Sequence, residues 1–270
     1  MSRIVSRKSG FVIAAILILT LAFSLVAVGA GGKGPPPGQD EAVKAEPVRG
    51  KPVKVNGKDL SLYVFVYPER AGKGKKPPKE DSGPSPYCTD NDQNTIVPSF
   101  ADAKPNGLTF KINDGSIPGD KSAAIVAIHA AFDAWDNVSD VGTYFTVEDS
   151  GGASRPAFDG INTVGWVKIV PRSVLAGAWV WVDNNTNEVV QVDVFYNAFH
   201  KWAAFTVCDA QGRYEVGNVG THEFGHVVGL DHLSDANAYA TMYPSAAKGE
   251  VRKQTLTAGD AAGYTDAGGY

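Results

Sequence analysis

Leu108–Asn113 (LTFKIN) alternates apolar and polar side chains with a period of two, the pattern of a half-buried strand. Lys121–Val138 follows, with Ile125, Ile128, Phe132 and Trp135 at spacings of three and four, so they share one face of an expected helix. Tyr144–Val147, Thr163–Val170, Ala178–Val182 and Val189–Tyr196 read as strands, and the last two flank a polar turn, Asp183–Glu188 (DNNTNE). A second helix is expected over Val219–Leu230. Upstream, Leu60–Tyr67 (LSLYVFVY) is strand-like, and the preceding Val55-Asn-Gly-Lys58 carries an Asn-Gly turn signal. One strand–helix opening, a run of strands and a late helix indicate the α+β class, with helices packed on a twisted sheet.

Composition changes this picture mainly at the N-terminal end. Arg3, Arg7 and Lys8 precede an uncharged apolar run, Phe11–Val28, which reads as an export signal cut after Ala30 or as an uncleaved membrane anchor. Either places the remainder outside the cytoplasm, secreted or tethered to the outer face of the membrane. There the only two cysteines, Cys88 and Cys208, are expected to form a disulfide. Residues 31–86 are rich in Pro, Gly and Lys and are expected to be a tether with a small ordered element at most. Charge is divided along the chain: residues 1–80 carry 14 Lys/Arg against 6 Asp/Glu, and residues 81–270 carry 11 against 23. The acidic body argues against a nucleic-acid partner and leaves carboxylates that could serve calcium. Two cysteines are too few for a disulfide-built scaffold, so a hydrophobic core over 87–270 has to hold the fold.

The chemistry lies in residues 222–232, HEFGHVVGLDH. His222 and His226 are four apart, so one helical face presents both imidazoles to one point. Glu223 sits beside the first, where its carboxylate reaches a metal-bound water without being a ligand. Gly229 lets the backbone leave the helix with positive φ, and the turn brings in His232. Three protein ligands leave a fourth position open, which suits one catalytic Zn2+. The chain has five histidines, and three fall in this window, against coincidence. Ten residues later comes Thr241-Met242-Tyr243-Pro244, where Met242 would lay an apolar thioether beneath the ligands.

These motifs resemble the metzincin metallopeptidases and, within them, the matrixins. HEFGHVVGLDH followed by TMYP is similar to their zinc helix and Met-turn. Leu108–Val138, Asp159–Trp166, Val189–Asn197 and Leu256–Tyr264 are weaker resemblances over roughly residues 95–270. The resemblance implies a zincin fold with a twisted, mostly parallel sheet, long helices and the Met-turn in the lower part. It implies a monomeric zinc endopeptidase in which Glu223 is the general base. Its substrate would be a protein or peptide laid along the segment holding Leu175 and Ala176, with residues after Pro244 shaping a side-chain pocket. Gly177 stands where animal members have a ligand for a second zinc, which is therefore not expected. The cysteine switch of animal proforms has no good counterpart here, Pro86-Tyr-Cys88-Thr being a poor match. Residues 31–86 could still be a rudimentary propeptide, with Leu60–Tyr67 laid along the active-site edge.

Overall fold

The computed structural model describes residues 41–70, 88, 93–100, 104–105, 107–138, 145–208, 212–233 and 240–266. The apolar run Phe11–Val28 and the basic stretch 71–87 lie outside them. The strands are β1 (Val43–Lys44), β2 (Val48–Val55), β3 (Lys58–Pro68), β4 (Lys104–Pro105), β5 (Leu108–Ile112), β6 (Phe145–Glu148), β7 (Asn162–Val167), β8 (Ile169–Val170), β9 (Val174–Asp183), β10 (Glu188–Asn197), β11 (Trp202–Ala203) and β12 (Tyr214–Glu215). The α-helices are α1 (Lys121–Asp136), α2 (Val216–Val227) and α3 (Ala258–Asp266). The central sheet runs β2-β3-β9-β10-β7-β5-β6, with β4 also paired to β10.

The expected mostly parallel sheet is a mixed one. β6, β5, β7 and β10 pair in parallel, whereas β9, β3 and β2 are added antiparallel to β10 and to one another. The excess antiparallel pairing comes from residues 48–68, so the expected tether is corrected over that span: it is a hairpin built into the sheet. The physical reason is a two-faced strand. Phe65 and Tyr67 of β3 join the core on one face of the sheet, while Leu60 and Val64 join the cluster on the other. Burying both faces compensates the ordering entropy that the Lys and Pro content suggested could not be offset. Asn56 and Gly57, both at positive φ (51° and 81°), close the hairpin as the Asn-Gly pair indicated.

Helices α1 and α2 cover one face. α1 starts at the Asp120 cap, whose carboxylate accepts from Ala123 N (3.1 Å). It buries Ile128, Phe132 and Trp135, with Ile125 half-buried at the margin. Phe132 stacks on Phe224 of α2 (3.6 Å between centroids, 14°), and Trp135 Nε1 donates to Thr221 O (2.8 Å). These contacts fix the helix that bears the metal motif against the sheet. α2 begins three residues before the expected start, because the Glu215 carboxylate caps it by accepting from Asn218 N. Cys88 and Cys208 are joined, with Cα atoms 5.4 Å apart.

Candidate active site

α2 ends where the site needs it to end. Gly229 has φ +93°, Leu230 N donates to Gly225 O (3.0 Å) and Gly229 N to His226 O (3.1 Å). This pair of bonds, six-to-one and five-to-two, is a Schellman stop. The chain then reverses and delivers His232 to the face that carries His222 and His226. Nε2 of His232 lies 3.2 Å from Nε2 of both His222 and His226. Three corners of a tetrahedron with metal–nitrogen bonds of about 2.0–2.1 Å stand roughly 3.3–3.4 Å apart, so the spacing fits a single zinc.

The outer nitrogens are held by carbonyls. His222 Nδ1 donates to Thr241 O (2.7 Å) and His226 Nδ1 to Leu230 O (2.8 Å). A carbonyl only accepts, so the protons sit on Nδ1 and the Nε2 lone pairs face inward. Burial pushes both imidazoles well below their ordinary range, and pushes His232 down to about 4 against the opposing pull of Asp231. All three are therefore neutral donors at physiological pH. Converging lone pairs repel one another without a cation between them, which is the chemical reason this donor set fits a metal. Among the described residues it is the one cluster of three or more potential ligands.

Glu223 is fully buried, and neither carboxylate oxygen has a hydrogen-bond partner. Burial raises its carboxyl well above the usual range, with Lys253 opposing. Beneath the histidines, Met242 is fully buried, and a Cβ placed on Gly225 would fall on its sulfur. Residue 225 must therefore lack a side chain for the thioether to lie under the helix. The backbone of this turn is held from below: the Asp260 carboxylate accepts from Thr241 N (3.0 Å), Met242 N (3.3 Å) and Thr257 N (2.9 Å).

Leu175 and Ala176 lie buried in β9, and Pro244 is half-buried past the turn. β3 runs between these two walls. Tyr67 pairs with Ala176 and Val66 with Gly177, Glu69 N donates to Ser173 O (2.7 Å), and Arg70 N donates to Ala246 O (2.8 Å). Tyr67 stacks on His222 (3.8 Å, 15°) and Phe65 on His226 (4.0 Å, 14°). From β2, Arg49 reaches Asp231 with two parallel bonds of 2.8 Å and lies over the Phe65 ring.

Several of these residues carried no sequence signal. Arg49 sits in the stretch expected to be a tether, Lys253 belongs to no motif, and Phe65 and Tyr67 read only as strand. Asp260 did leave one: Thr257-Ala-Gly-Asp260 has the spacing of a helix-start capping box. His129, on the exposed side of α1, pairs with Asp149 (2.6 Å) and takes no part in the site.

An α+β domain with two ligands on a helix, a third supplied after a glycine stop and a methionine packed beneath is of the metzincin metallopeptidase class. The matrixin family model matches residues 102–267, and the chain belongs to that family, whose members are zinc-dependent metallopeptidases. No curated protein sequence matches the chain significantly.

Proposed function

We propose that this chain is a zinc endopeptidase acting on proteins or peptides outside the cytoplasm, with His222, His226 and His232 as ligands and Glu223 as general base. The observation that carries the reading is the convergence of three neutral Nε2 donors beside a buried carboxylate without a partner. Zinc held there supplies a Lewis acid and lowers the pKa of a water molecule. Glu223 takes the proton of the attacking water and returns it to the leaving amine. β9 offers its backbone to an extended substrate, which it binds as an added strand. Neutral histidines, held by Thr241 and Leu230 carbonyls, keep the site from reorganising.

Residues 48–68 occupy that same edge, so we read the hairpin as an inhibitory segment of a latent enzyme. Phe11–Val28 then serves as the export signal or anchor of a monomeric, secreted or surface-tethered protein. No helix of the described residues is long and apolar enough to cross a membrane.

The test is Glu223→Gln in a chain starting at residue 85. It should keep its zinc, measured by metal analysis, and lose about 10²–10⁴-fold in peptide turnover. Near-full turnover with zinc bound would remove Glu223 from the role of base.

A further inference from the structure

Lys253 is a fully buried cation that the chemistry above does not use. Its Nζ donates to Tyr243 O (2.9 Å), to Ser245 O (2.8 Å) and to the Tyr67 hydroxyl, and the Glu250 carboxylate stands 4.0 Å away. We propose that Lys253 forms the end of the pocket that receives the side chain following the scissile bond, that this pocket selects tyrosine, and that Tyr67 is its resident ligand. The proposal rests on the endopeptidase reading of the three histidines.

Three observations carry it. β3 lies antiparallel along β9, and its continuation Glu69–Arg70 meets Ala246 on the opposite flank, with Arg70 N donating to Ala246 O (2.8 Å), so the strand passes between the two walls that would hold a substrate. Its side chains on the metal face are Phe65 and Tyr67, two positions apart, and they cover two different ligands. The peptide units joining them therefore span the distance from His226 to His222, where the reacting bond of a substrate has to lie. The Tyr67 ring lies on His222, and its hydroxyl meets the Lys253 Nζ that also holds the Tyr243 and Ser245 carbonyls, so the ring reaches from the ligand to the end of the pocket.

The polar end of the pocket is complete only with a hydroxyl in place. Two of the three Lys253 partners are carbonyls, which accept and never donate. The phenol accepts from an ammonium and donates to an amine, so it satisfies Nζ in either protonation state. A phenylalanine of the same shape leaves Nζ one partner short inside the protein, and a leucine also leaves the slot partly empty. A site built around a substrate hydroxyl discriminates against the analogue without one, here by on the order of tenfold to a hundredfold in kcat/KM.

Turnover is read on the zinc-loaded full chain after one cut within residues 71–87 by a serine protease that is then inhibited, and dilution until the hairpin has left β9, which empties the pocket. It is offered peptides differing only in the residue after the scissile bond: Tyr, Phe, Leu or Glu. Tyrosine peptides should be cut about 10–100-fold faster than phenylalanine peptides, and Lys253→Met in the same background should bring the two within a few-fold. A second arm needs no turnover. p-Cresol should raise the Tm of Tyr67→Ala more than toluene does, and Lys253→Met should abolish the difference. Cleavage with no tyrosine preference, or equal responses to the two probes, would overturn the pocket and leave the peptidase reading intact. Absent cleavage with the p-cresol preference intact would sink the peptidase reading instead. If Tyr67→Ala does not fold, Tyr67→Phe replaces it: its Tm deficit should vanish in the Lys253→Met background, and additive deficits would refute the contact.

Discussion

Lys253 shows how strongly burial acts on a single charged side chain. Burial lowers its ammonium to about 7, with the Glu250 carboxylate opposing and Arg252 and Arg70 reinforcing the fall. The unfolded chain keeps that proton up to about pH 10.4, so it binds more protons than the folded chain across the interval. Stability should therefore rise with pH from about 7 towards 10, and Lys253→Met should flatten the rise; urea unfolding at pH 7 and pH 9 reads both. The Tyr67 phenol, raised above its usual value by burial, adds an opposing slope only above about pH 10. At this scale the sequence was legible where spacing alone dictates geometry. His222 and His226 must share a face, and Gly229 must release the helix. It was silent where the partner is remote: Tyr67 meets Lys253 across 186 residues, and no local pattern encodes that.

The β2–β3 hairpin decides the state of the site. β3 and its turn were legible from LSLYVFVY and Asn-Gly. β2 was not, because VRGKPVKV carries Gly, Pro and three cations. Those residues suit an outermost strand: Pro52 needs no ladder donor on the open side, and Lys51 and Lys54 discourage further pairing. The hairpin is held by its ladder with β9, by the two stacked aromatics and by the Arg49–Asp231 clasp. A chain beginning at residue 85 should show a large gain in peptidase activity over one beginning at residue 31, and equal activities would show that the hairpin does not inhibit. Arg49→Ala should act in the same direction but weakly, because half-exposed ion pairs contribute about 0.2–1 kcal/mol. Its effect should shrink as salt is raised.

For the molecule as a whole, the α+β class and the order of its central elements followed from periodicity, from Leu108 through the two helices. The mixed sheet did not, since two of its three antiparallel pairings, β9 with β3 and β3 with β2, depend on residues in a stretch whose composition resembled a linker. The Cys88–Cys208 bond closes a separation of 120 residues between the entry to the catalytic region and the segment leading to α2. A crosslink of that span restrains the unfolded chain strongly, and its loss should cost about 2–5 kcal/mol. Cys88→Ser with Cys208→Ser should lower the unfolding free energy by that amount, read as a fall in the denaturant midpoint, without altering zinc content. An unchanged midpoint would mean that the hydrophobic core alone sets the stability.

The hairpin and Cys88 are joined by the chain through residues 71–87, and that covalent path has a kinetic meaning. While intact, it presents Tyr67 to its pocket at an effective concentration of roughly millimolar, so opening is unimolecular and reclosure does not depend on how much protein is present. A single cut in 71–87 leaves every contact of the hairpin in place but makes reclosure a second-order event. The nicked protein should stay silent when concentrated and become active on dilution, with a lag set by strand dissociation. Its behaviour would then be that of a tight complex between two polypeptides.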